Sequence, residues 1–136
     1  MPYALFSVGM LGLLVFFLGQ NVSLVRRSVA VTQREEEADP KSALRKAIRA
    51  HGNCIEYSPM LALMILALGL RMPLTPWWIA ALMLLAVAAR YIHALGILTA
   101  ESIYATNSLR FIGASLTYVT GLALSAILIW RATLLF

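Results

Sequence analysis

Four apolar runs, at about residues 3–25, 48–70, 76–98 and 109–130, constrain this chain more than any other feature. Each is near the ~20 residues a helix needs to cross the hydrocarbon core of a bilayer. Inside lipid a spanning segment must satisfy its own backbone polar groups, so each run reads as a helix. Of the 136 residues, 61% are hydrophobic and 12% charged, against roughly 45–50% and about 25% in soluble domains. That composition excludes a soluble enzyme, a disulfide scaffold and a disordered chain. The expectation is one all-α domain over residues 1–136, an integral membrane four-helix antiparallel bundle.

Charge orients the bundle. Nothing charged precedes the first run, whereas Arg26 and Arg27 follow it at once. A cleaved signal peptide has the opposite layout, so this helix is retained. The loop at about 26–47 and the start of the second helix carry Arg26, Arg27, Arg34, Lys41, Arg45, Lys46 and Arg49, most of the eleven basic residues, together with Glu35, Glu36, Glu37 and Asp39. The positive-inside rule makes this side cytoplasmic and puts both termini outside. It also accounts for the net charge of +5 without a nucleic-acid partner. The segment Arg71-Met72-Pro73-Leu74-Thr75 reads as a tight outer turn, with Thr75 as N-cap and Pro76 as the first residue of the third helix. Trp77, Trp78, Tyr3 and Trp130 suit an outer aromatic belt. Gly113, Thr117, Gly121 and Ser125 recur every four residues on the fourth helix, a spacing that permits close helix packing.

Ionisable groups inside a span are functional candidates by default. The second span opens Arg49-Ala50-His51-Gly52-Asn53-Cys54-Ile55-Glu56-Tyr57-Ser58-Pro59. At about 100° per residue, Arg45, Arg49, Asn53 and Glu56 share an arc of roughly 80°, a polar stripe leading into the bilayer. His51 points to the opposite side, and the lone Cys54 reads as a small packing residue. The third span ends with Arg90 and His93 on one face, and the fourth starts with Asn107 or Ser108 as cap and Arg110 in its first turn. A salt-bridge network pairing Glu56 with Arg49 or Arg90 is the plain structural reading. Against it, Arg49, Arg90 and Arg110, with Arg26 or Arg27 nearby, outnumber one carboxylate. Surplus partly buried guanidinium groups call for an anion, and their fork suits a carboxylate.

These motifs resemble the MAPEG family, the membrane-associated proteins in eicosanoid and glutathione metabolism. The resemblance rests on Arg49-x-x-x-Asn53-x-x-Glu56 with Pro59 following, on Arg26-Arg27, on Arg90-x-x-His93 and on Leu109-Arg110, and it covers the whole chain. The Arg-x-x-His-x-x-Gly stretch looks most like a bacterial branch, which implies a bacterial inner membrane. The resemblance implies a homotrimer with glutathione, as co-substrate, bound between neighbours on the cytoplasmic side. It implies that Arg49, Asn53, Glu56 and Tyr57 hold the glutathione backbone, that Arg26 or Arg27 and Arg90 contribute, and that Arg110 stabilises the thiolate. His93 is expected among the ligand-binding residues, chiefly behind the direct contacts. The activity implied is a glutathione-dependent transferase or peroxidase acting on a lipophilic electrophile or hydroperoxide from the bilayer, without a metal.

The sequence departs from several mammalian members, which carry a tyrosine where Ile97 stands; Tyr91 and Tyr104 are out of register, and the loop before Arg110 is longer. Two other readings stay open. One is a non-catalytic member of the same fold. The other is a four-helix drug–proton antiporter built on Glu56, against which stand the arginine excess and a first helix without any acid.

Overall fold

The computed structural model describes residues 1–29, 33–72 and 74–134. Five helices are present among them: α1 (Pro2–Ser28), α2 (Gln33–Ala38), α3 (Ala43–Arg71), α4 (Trp77–Thr99) and α5 (Ser108–Thr133). All but the short α2 are long and apolar enough to span a bilayer. α1, α3 and α5 extend a few residues beyond their expected runs because their polar flanks continue the helix, whereas α4 keeps the expected length.

The long helices run antiparallel in chain order. Gly19 of α1 lies against His51 of α3, and Ala4 against Gly69. Arg90 of α4 bonds Asn53 of α3 at one level, and Lys46 of α3 reaches the Ala100 carbonyl at the C-terminal end of α4. The α4–α5 pair is the most extensive. Its close approach depends on two glycines. A Cβ at Gly96 would meet the Arg110 backbone, and one at Gly113 would meet the His93 backbone. Further along α5, Thr117 bonds Arg90 and Ser125 donates to Met64 Sδ. The small-residue stripe is therefore packed inside the chain's own bundle.

Two apolar clusters divide the interior. One, at the end bearing Trp77, joins Leu11, Ile65, Leu68, Met83 and Leu124. The other, nearer the charged loop, joins Leu14, Leu18, Cys54, Ala94 and Ile97. Large apolar side chains such as Phe16, Phe17, Leu63 and Leu122 point outward, as they do when the surroundings are lipid.

The connections differ in detail from expectation. Pro73 of the expected outer turn lies outside the described residues. The N-cap of α4 is Pro76, and the helix begins at Trp77, one residue later than expected. Thr75 donates to the Met72 carbonyl and accepts from the Met1 nitrogen, so its hydroxyl closes the turn instead of capping the helix. At the other end Ser42 Oγ caps α3 by accepting from Arg45 N at 3.0 Å. Asn107 caps α5, its Oδ1 accepting from Arg110 N at 2.8 Å. The two loops at this end dock through Ile103 N donating to the Pro40 carbonyl at 2.9 Å.

Candidate functional site

The expected polar stripe forms on the first turns of α3 but faces out of the single bundle. Arg49 Nη1 stands 3.9 Å from Glu56 Oε1, and both side chains are about half exposed. Asn53 Nδ2 donates weakly to Glu56 Oε2 at 3.5 Å. The helical rise separates Arg49 and Glu56 by about 10 Å along the axis, so only their long side chains bring the charges together. The helix continues through Pro59.

Arg90 lies directly behind this stripe and is 1% exposed. Its Nη2 donates to Asn53 Oδ1 at 2.8 Å and to the Asn53 carbonyl at 3.1 Å. Nη1 donates to Thr117 Oγ1 at 3.3 Å, and the guanidinium carbon lies 5.3 Å from the Tyr57 ring centroid. One side chain of α4 thus ties α3 to α5. Of the two salt-bridge pairings considered from sequence, Arg49–Glu56 forms; Arg90 pairs with Asn53 instead of Glu56. Its Nε has no hydrogen-bond partner among the described residues.

His93, one turn on, is buried, and its Nδ1 meets the Arg110 carbonyl at 2.9 Å. Arg110 itself is turned toward the loop between α4 and α5, with Nη1 donating to the carbonyls of Ile103 at 2.7 Å and Ala105 at 2.9 Å.

A model of the MAPEG family matches residues 4–130, nearly the whole chain. The chain belongs to the MAPEG family. No curated protein and no solved structure matches it. With the four spanning helices, membership makes it a multi-pass integral membrane protein of that family.

In this MAPEG protein Asn53, Tyr57 and Arg90 form one contiguous group, with Arg49 and Glu56 on its outer side. His93 and Arg110 form a second group at the α4–α5 junction. Arg26 and Arg27 join neither. Arg26 pairs with Glu37 at 3.3 Å, Arg27 is exposed, and no described contact links either to the α3 stripe within one chain. Cys54 is fully buried, its Sγ 3.2 Å from Ser58 Oγ, as expected of a packing residue. His51 packs against Gly19 of α1, on the side away from the stripe. Among the described residues no cluster of His, Cys, Asp and Glu could hold a metal.

Two site residues escape a reading by sequence. Thr117 belongs to the small-residue stripe, yet its hydroxyl is the α5 partner of Arg90. Tyr118 stands 3.0 Å from Tyr57, hydroxyl to hydroxyl, with the rings edge to face at 79°. The Tyr57–Tyr118 pair separates a small polar cavity of about 50 Å³ beside Arg90 and His93 from an apolar one of about 360 Å³ lined by Met60, Met64 and Leu122. A phenol in the middle of an apolar span was the available signal for Tyr118; nothing in the sequence shows which helix it faces.

Proposed function

We propose that this MAPEG protein is a membrane-bound glutathione-dependent transferase or peroxidase that works as a homotrimer. The observation that carries this reading is the outward-facing Arg49–Asn53–Glu56 stripe with buried Arg90 directly behind it. Exposed ionic groups within a membrane span cost several kcal/mol unless they are paired or hydrated. A neighbouring copy of the chain and an anionic ligand between the two would remove that cost together.

Glutathione has matching chemistry, with two carboxylates and one ammonium. Arg49 suits a carboxylate and Glu56 the ammonium. Arg90 would act through Asn53 and Tyr57, fixing both side chains for the ligand. Arg26 or Arg27, which contact no part of the stripe in their own chain, would be supplied from the neighbouring copy. A free thiol titrates near 8.5, so roughly 3% is thiolate at pH 7. Lowering that by ~2 units takes roughly 2.7 kcal/mol of differential stabilisation. Arg110 would supply it through Nη2 and Nε, the guanidinium nitrogens its loop bonds leave over, in the first turn of α5 where the helix dipole is positive. The acceptor would be a lipophilic electrophile or hydroperoxide arriving from the bilayer, for which the apolar cavity beside Tyr118 is suited.

One observation favours a second reading, a non-catalytic member of the family: Arg110 Nη1 already serves two loop carbonyls. Titration of glutathione into the trimer, followed by calorimetry and by thiolate absorbance in the ultraviolet, separates the two. The enzyme reading expects binding together with a thiolate signal near neutral pH. Binding without thiolate supports the non-catalytic reading, and absence of binding at millimolar glutathione, on the order expected for a weak ligand, refutes the enzyme reading.

A further inference from the structure

At the end of the bundle opposite the glutathione stripe, a cavity of about 500 Å³ opens between α3 and α5. Arg71 and Arg131 both border it, and Ala67, Leu68, Leu128 and Leu134 make its walls. At 1.5 Å per residue, Arg71 lies about 22 Å along α3 from Glu56, so the cavity belongs to the other leaflet. The six side-chain carboxylates of the chain are Glu35, Glu36, Glu37, Asp39, Glu56 and Glu101, and none is near it in sequence. Neither arginine's side chain has a hydrogen bond or ion pair to any described residue.

Each arginine sits in the last turn of its helix, where the carbonyl ends favour a cation. That accounts for either one alone. It does not account for two guanidinium groups from distant parts of the sequence bordering one cavity, where like charges repel. An anion between them turns the repulsion into two charge-assisted contacts. We propose that this cavity binds the phosphodiester headgroup of an anionic phospholipid, with the guanidinium groups of Arg71 and Arg131 on the phosphate and an acyl chain along the Ala67–Leu128 wall. A volume of this size takes a ligand much larger than inorganic phosphate. Its walls offer that ion no further donors but give hydrocarbon a continuous apolar surface. The site is independent of glutathione chemistry and holds whichever reading of the α3 stripe is right.

The test uses the full chain in lipid nanodiscs of phosphatidylcholine with or without phosphatidylglycerol, with lipid retention read by native mass spectrometry. The charged loop at the other end also attracts anionic lipid, so the readout is the difference between wild type and variants. Wild type is expected to retain about one more phosphatidylglycerol per chain than Arg71→Gln/Arg131→Gln. Each single variant should weaken retention about five- to tenfold, and Arg71→Lys/Arg131→Lys should keep most of it. If the double Gln variant does not fold, the single and Lys variants decide. Equal retention in wild type and the Gln variants overturns the proposal. So does equal retention of phosphatidylcholine and phosphatidylglycerol by wild type. Displacement of the retained lipid by excess inorganic phosphate would show a free-phosphate site and also overturn it.

Discussion

Substituting Gly113 by alanine tests whether the α4–α5 contact positions the site. A Cβ at this position would lie 2.6 Å from the Cα and the Cβ of His93, against 3.4–4 Å for ordinary contact. The obstacle is backbone, so no side-chain rotation relieves it, and α5 must retreat by about 1 Å. Alanine gains about 1 kcal/mol over glycine in a helix interior. Overpacking of a tight interface costs typically 1–3 kcal/mol, and backbone against backbone belongs at the upper end. The net expectation is a destabilisation of about 1–2 kcal/mol. Gly12→Ala is the control, because a Cβ there meets nothing within 4 Å; it should stabilise by about 0.5–1 kcal/mol. The two variants should therefore differ by about 1.5–3 kcal/mol in reversible unfolding by a denaturing detergent in mixed micelles. The displacement should also carry Thr117, one turn further along α5, away from Arg90 and lower the affinity for glutathione. A Gly113→Ala protein as stable as Gly12→Ala would refute the close packing and the positioning argument built on it.

Arg90→Lys should reduce stability by about 1–3 kcal/mol and weaken glutathione binding, since one ammonium cannot reproduce a planar fork spanning Asn53 and Thr117; thermal unfolding and calorimetry read both. Arg110→Ala should keep appreciable binding but lose thiolate formation and most turnover, whereas Arg49→Ala and Glu56→Ala should chiefly weaken binding; if Arg110→Ala leaves the thiolate spectrum intact, the role given to Arg110 is wrong. Native mass spectrometry in mild detergent should show three chains per particle, and a monomer that retains ligand binding would contradict the shared site. On a Cys54→Ala background, Leu74→Cys should react with an impermeant thiol reagent from outside and Glu36→Cys should not; the reverse pattern would invert the orientation drawn from charge.

Legible in the sequence were the membrane-protein class, the four long apolar helices and the family, and it nominated the residues of the candidate site. Those are carried by local properties: run length, periodicity and the Arg49–Asn53–Glu56 spacing on one helix. Arg49 and Glu56 could be paired from their positions because a helix converts spacing into direction. The partners of Arg90, by contrast, follow from how the helices pack. From its place in α4 it could equally have met Glu56, and packing of α4 against α3 and α5 brought it instead to Asn53, Tyr57 and Thr117. The same packing turned Tyr118 toward Tyr57 and Arg110 toward the carbonyls of Ile103 and Ala105. It also left Arg26 and Arg27 apart from the stripe, although all share one end of the bundle. Contacts between helices depend on crossing, depth and rotation, and these are set by bulk and gaps such as those at Gly96 and Gly113. A pattern along one helix does not contain them.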